Sequence, residues 1–167
     1  MKKNLRHLSL IACCYVLLSG LTGGTSIKFK QQNELICLAE NIYWESRNQS
    51  LQGKLAVAHV TLNRVKNNKF PDSICEVVKQ TKFYPSGKID LHSCQFSWYC
   101  DGKSDLPKNE KSWAEVMQIA RLFLKKTPSD ITEGSLWYHN TKVSPDWSNS
   151  LERVLIIEDH IFYKENT

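Results

Sequence analysis

No apolar run in this chain reaches the roughly 20 residues that a membrane-crossing helix needs. The longest, Leu8–Leu21, stops at 14 residues. Charge of one sign is scarce too. The formal net charge is +5, and Lys2, Lys3 and Arg6 supply three of those units, leaving 19 basic against 17 acidic side chains in the remainder. So even a balance argues against nucleic acid as a partner. Internal repeats and low-complexity blocks are missing, which sets aside solenoids and disordered arrays. No HExxH pair and no common zinc spacing of cysteine and histidine occurs, so neither a metal nor another cofactor is expected. What remains is a chain of one-domain length whose 41% hydrophobic residues can bury a core.

The N-terminus reads as an export leader. A basic segment, MKKNLRH, leads into the apolar run, and small residues (Ser19, Gly20, Gly23, Gly24, Thr25, Ser26) follow. The expected organisation is a signal peptide or weak signal-anchor over 1–26, a connector over 27–33 and a catalytic domain over 34–167. A weaker lipoprotein-like pattern, Leu10-Ile11-Ala12-Cys13, is the alternative for the leader. The expected location is the periplasm or cell envelope, with transient membrane contact through the leader and a monomeric state. Cys13 and Cys14 fall in the leader; Cys37, Cys75, Cys94 and Cys100 remain. An even number after an export signal favours disulfides, and spacing leaves all three pairings open. A zinc site using His92, Cys94 and Cys100 is the competing reading.

Apolar residues at Leu35, Leu38, Ala39, Ile42 and Tyr43 mark one face of a helix over Asn33–Glu45. Ser50 is suited to cap the next helix, whose buried stripe is Leu51, Leu55, Ala58, Leu62 and Val65. Asn67-Asn68 breaks it, and Pro71 fits the first turn of a short third helix. Thr81–Lys111 reads as irregular, with Pro85, Gly87, Gly102 and Pro107. A fourth helix is expected over Ser112–Lys126. The period then changes: Leu136–His139, Val154–Ile157 and His160–Tyr163 read as strands, the last two a hairpin over Glu158-Asp159. Helices in the N-terminal two-thirds and a small antiparallel sheet near the C-terminus make an α+β fold.

Glu45 ends the first helix near its inward face, beside Tyr43 and Trp44. A carboxyl in a partly apolar pocket stays protonated near neutral pH and can donate to a leaving oxygen. Arg47 would oppose this if it reached the carboxylate, so it is expected to point elsewhere. Gln95, Ser97 and Trp98 lie in CQFSWYCDG, where rings and amides together suit a sugar; core packing competes for Phe96 and Trp98. Tyr138, His139 and Trp147 are further groove candidates. Asn63, Arg64 and His160 are expected to brace the site.

Six blocks in order, CLAENIYWESR, QGKLAVAHVTLNRV, FPDSICEVVKQ, CQFSWYCDG, LWYHNTKVSPDW and HIFY, resemble the cell-wall hydrolase family typified by the spore-cortex-lytic enzymes SleB and CwlJ. The resemblance spans about Glu34 to Tyr163. It implies a lysozyme-like fold, peptidoglycan glycan strands as substrate, and Glu45 as the essential glutamate. It also implies pairing of Cys37 with Cys75 and of Cys94 with Cys100. Ser46 and Asn48 stand where the family has alanine and glycine; Asn48 tolerates a left-handed turn. The reaction expected is that of a lytic transglycosylase, because Asp90, Asp101 and Asp146 offer no distinguished second carboxylate for hydrolysis. A hydrolytic muramidase, a zinc amidase and a non-catalytic peptidoglycan-binding module are the alternatives.

Overall fold

The computed structural model describes residues 8–166, with side chains described from Ser26 onward. The basic segment Met1–His7 of the expected leader lies outside the described residues, as do the side chains of its apolar run. Among the described residues, no helix is long and apolar enough to cross a membrane. The chain divides into two units, Met1–Asn33 and Glu34–Thr167. Helix α1 is Leu8–Ser46, so it begins earlier than the apolar periodicity indicates. Ile27–Gln32, expected as a connector, is helical with exposed side chains. Its lysines and glutamines are good helix formers, and no proline stops them.

The second unit opens with the end of α1 and continues through α2 (Leu51–Lys66), α3 (Ile74–Val78) and α4 (Glu110–Lys125). Strands β1 (Trp137–Asn140), β2 (Glu152–Ile157) and β3 (His160–Lys164) form one antiparallel sheet in the order β1-β3-β2. This is the α+β arrangement expected. Two short 3-10 turns, Ser97–Cys100 and Asp146–Ser150, punctuate the loops.

Local chemistry accounts for most ends. Ser73 caps α3, its hydroxyl accepting the Glu76 N–H, so Pro71 precedes that helix instead of starting it. Asn109 caps α4 by accepting from Ser112 N at 2.8 Å, so the helix starts at Glu110, two residues before the expected start. Ser50 occupies the cap position of α2, yet its side chain makes no cap bond. Its N–H instead donates to Glu158 Oε2 at 3.0 Å.

Helix α2 is the centre of the domain. Val57, Ala58 and Leu62 join Leu38, Ile42, Tyr43, Val77, Val78, Val116 and Phe123 in a core built from the four helices. Ala56 and Val60, on another side of α2, pack against Phe162 of β3. The helix is therefore buried nearly all round from Gly53 to Arg64, not along the single stripe its sequence suggests. Leu51, at the head of that stripe, is exposed. Each fully buried aliphatic side chain contributes roughly 1.5–3 kcal/mol. Disulfides Cys37–Cys75 and Cys94–Cys100 are both formed, the pairing that the family resemblance implies. The first ties α1 to α3; the second closes the loop that carries Phe96 and Trp98.

Candidate active site

Glu45 sits in the last turn of α1, half-buried. The helix delivers it there because Leu38 and Ile42, seven and three residues earlier, are fully buried and fix its rotation. Its flanks are tied down separately. The Tyr43 hydroxyl accepts from Lys108 N at 3.1 Å and Asn109 N at 3.0 Å, and Trp44 Nε1 donates to Asp105 O at 3.2 Å. Beneath them Asn41, fully buried, donates to Thr61 Oγ1 and accepts from Trp98 Nε1 at 3.1 Å.

The Tyr138 hydroxyl, from β1, donates to Glu45 Oε2 at 3.0 Å. The cation acting on Glu45 is Arg64 of α2. Desolvation raises the Glu45 pKa above the ordinary carboxylate value, and it outweighs the Tyr138 hydrogen bond and the Arg64 charge, which both lower it. Arg64 is buried between the Phe70 and Phe96 rings, 5.2 and 5.1 Å from their centroids, and its Nε donates to Leu136 O at 2.7 Å. Burial brings its own pKa down to about 10, so it remains a cation at neutral pH. Tyr138 is pushed well above the usual phenol value, first by burial and then by the Glu45 charge, so it stays a hydrogen-bond donor. The result is a desolvated carboxyl whose ionised form is still supported by one phenol and one buried guanidinium. Such a group holds a proton yet can release it.

Arg47 does point elsewhere. Its guanidinium lies over Tyr43 and Trp44, 5.3 and 4.9 Å from the ring centroids. Asn63 braces the approach to β1: its amide donates to Asp130 Oδ2, Thr132 Oγ1 and Ser135 O. His160 packs 4.8 Å from the Tyr138 ring and accepts from Gln49 Nε2 at 3.3 Å; burial lowers its pKa, keeping it neutral.

The other expected site residues are distributed differently. Trp98 is only 7% exposed, stacked with Trp44 in the helical core, and its indole N–H is spent on Asn41. It packs with Phe96 as core, which leaves no free ring face for a sugar. Gln95 and Ser97, on either side of Phe96, are exposed. His139 follows Tyr138 on β1 and so faces the other side of the sheet. There it stacks on Tyr163, accepts from the Tyr163 hydroxyl and meets Trp147 edge-on at 5.5 Å. The structure thus joins Tyr138, Arg64 and Glu45, and gathers His139 and Trp147 into a separate cluster. Asp90 is bound to Tyr84 and His92 N, and Asp101 to Lys103. Among the described residues, no group of three His, Cys, Asp or Glu side chains is arranged to hold a metal ion.

The profile of a family described as Cell Wall Hydrolase matches residues 48–163, beginning three positions after Glu45. The spore cortex-lytic enzyme of Oceanobacillus iheyensis is 29% identical over 148 residues, which cover 86% of this chain and 47% of the relative. That of Bacillus subtilis is 29% identical over 132 residues, 78% and 37% respectively. The chain spans at most about half the length of these curated relatives. In three dimensions it is similar to the catalytic domain of the Bacillus cereus SleB protein, with a TM-score of 0.55, 29% identity, and coverage of 80% of this chain and 91% of that one. It is similar also to the catalytic domain of the germination-specific lytic transglycosylase SleB from Bacillus anthracis, with a TM-score of 0.58, 29% identity, and coverage of 80% and 95%.

Proposed function

The chain belongs to the cell wall hydrolase family, and from that premise we propose that it is a peptidoglycan lytic transglycosylase with Glu45 as its acid and base. The observation that carries the reading is the desolvated Glu45 carboxyl held by the Tyr138 hydroxyl. The substrate bond is the glycosidic link from N-acetylmuramic acid to N-acetylglucosamine. Protonated Glu45 gives its proton to the glycosidic oxygen as the C1–O bond breaks and an oxocarbenium-like centre forms. The carboxylate left behind takes the proton of the muramoyl C6 hydroxyl as that oxygen bonds to C1, closing the 1,6-anhydro ring. Glu45 ends protonated, ready for the next turnover. Tyr138 and Arg64 support the transient carboxylate, and Tyr138 keeps it oriented. Exposed Gln95 and Ser97 are the proposed glycan contacts. Action on peptidoglycan places the protein outside the cytoplasmic membrane, a location in which the two disulfides persist.

The test digests isolated peptidoglycan with the full chain and with Glu45→Gln, with and without chelator, and reads the products by mass spectrometry. Anhydro-muropeptides from the wild type alone, indifferent to chelator, are expected. Reducing-end sugars would show hydrolysis, and free stem peptides lost on chelation would show an amidase; either sinks the reading.

A further inference from the structure

The loop that follows Glu45 is bound at two points to the far end of the sheet. Glu158 and Asp159 form the turn between β2 and β3, whose facing residues are Ile157 and His160. The turn contains no glycine, and Glu158 adopts φ +50, a conformation that costs a residue bearing a side chain. That backbone aims the Glu158 carboxylate at the α1–α2 loop, where Oε2 accepts Ser50 N–H at 3.0 Å. One residue earlier, Gln49 Nε2 donates to His160 Nδ1 at 3.3 Å. Gln49 lies so close over Gly53 that a Cβ there would come within 2.3 Å of Gln49 Oε1. Glycine at 53 is what lets the amide reach the hairpin.

The loop itself is stiff. Arg47 N donates to Tyr43 O, Gln49 N to Ser46 O, and the buried Ser46 hydroxyl to Ile42 O. A displacement at Ser50 or Gln49 is therefore passed back to the last turn of α1, where Glu45 sits. On the sheet side, His160 begins β3, which pairs with β1 so that Phe162 lies opposite Tyr138. Glu45 and its hydrogen-bond donor thus belong to two parts of the fold that meet at the Glu45–Tyr138 bond and again at the hairpin tip.

We infer that the β2–β3 hairpin tip is a clasp that sets Glu45 against Tyr138, with Glu158 and Gln49 as positioning residues for the reaction. Neither touches the reacting atoms; both act through the Glu45–Tyr138 bond. The inference rests on Glu45 being the acid. The groups facing Glu45 are Tyr138 from β1 and Arg64 from α2. Those acting on Glu158 are Ser50, Lys54 from α2 and His160 from β3.

The test is a pH–rate profile of the full chain on peptidoglycan for Glu158→Ala, Glu158→Gln and Gln49→Ala, each alone and combined with Tyr138→Phe. Opening the clasp lengthens the Glu45–Tyr138 bond. Glu158→Ala and Gln49→Ala then lower kcat/KM about tenfold and move the alkaline limb upward, toward the position it takes in Tyr138→Phe. Glu158→Gln keeps an acceptor oxygen and returns the limb toward that of the wild type. In the Tyr138→Phe background, where the bond is already gone, Glu158→Ala moves the limb no further. A cap that only stabilises α2 would lower Tm and leave the limb in place, and that result overturns the clasp. A limb shift that adds fully to that of Tyr138→Phe overturns it as well. An active Glu45→Gln would instead overturn the assignment of the acid, so the two failures are separable.

Discussion

Replacing Tyr138 by phenylalanine removes the one hydrogen bond that Glu45 Oε2 receives from the sheet and leaves the ring in place. A hydrogen bond to a charged group is worth about 1.5–3 kcal/mol. The phenol oxygen also meets the protonated carboxyl, so only the difference between the two protonation states counts. With about 2.3 kcal/mol for the charged bond and about 1 kcal/mol for the neutral one, the difference is about 1.3 kcal/mol, or about one pH unit. The bond favours the carboxylate, so its loss favours the acid form. If Glu45 is the proton donor, kcat/KM falls as pH rises through its pKa, and the alkaline limb reports that group in the free enzyme. The limb of Tyr138→Phe is therefore expected about one pH unit above that of the wild type, with Arg64 still acting in both. The assay follows solubilisation of labelled peptidoglycan between about pH 4 and pH 9 at substrate well below KM. A limb that stays where it is, or moves down, refutes the reasoning. It would mean that Tyr138 does not tune the group whose ionisation limits the rate.

Glu45→Gln is expected to lose at least about 10²–10⁴-fold in rate while still binding peptidoglycan. It is also expected to melt about 2–4 °C higher at neutral pH, because the fold no longer holds a desolvated carboxylate. The sign fixes the pH course of that gain. The folded pKa of Glu45 is raised, so its favourable contribution is complete below the ordinary carboxylate range and is lost as pH rises through the folded value. The Tm gap between the variant and the wild type should open over that window and close in acid; a pH-independent gap contradicts it. Arg64→Met removes a buried cation bonded to Leu136 O and is expected to cost about 2–4 kcal/mol by urea titration, while raising the alkaline limb in whatever folded fraction remains. Cys37→Ser with Cys75→Ser opens a loop of sequence separation 38 and is expected to cost about 4 kcal/mol; the same change at Cys94 and Cys100, separation 6, about 2 kcal/mol. Equal losses for the two pairs would contradict the loop-closure account.

The helix ending at Glu45, the three strands and the hairpin could be read from the sequence because each depends on neighbours in the chain. The inward stripe Leu35, Leu38, Ala39, Ile42 is local, and so is the change of period at Leu136–His139. The readings that failed depend on what lies across the fold. Only one stripe of α2 stood out, since periodicity marks a helix with one wet side; α2 has the helical core on one side and Phe162 on the other. Arg47 does point away from Glu45 as expected, and what the sequence left open is that the bracing Arg64, nineteen residues on, is the cation that acts on it. For Trp98 the sequence left sugar contact and core packing both open, and the buried Asn41 acceptor across the fold decides for core. The bond from Ser50 to Glu158 spans 108 residues, and serine and glutamate in those positions are ordinary surface residues when read in a line. One signal was available: Gly53 in the first turn of a helix is costly unless something lies against it, and here that is Gln49.

The double-sided burial of α2 also limits which side chains this helix can accept. Ala56, Val57, Ala58 and Val60 have no exposed surface. An added methyl at 57 is felt by the helices, and one at 56 or 60 by the sheet. A larger side chain in α2 therefore needs room in the layer it faces, and the helix cannot shift away from one layer without pressing on the other. The helical and sheet halves of the enzyme are thus held to one another through this one helix.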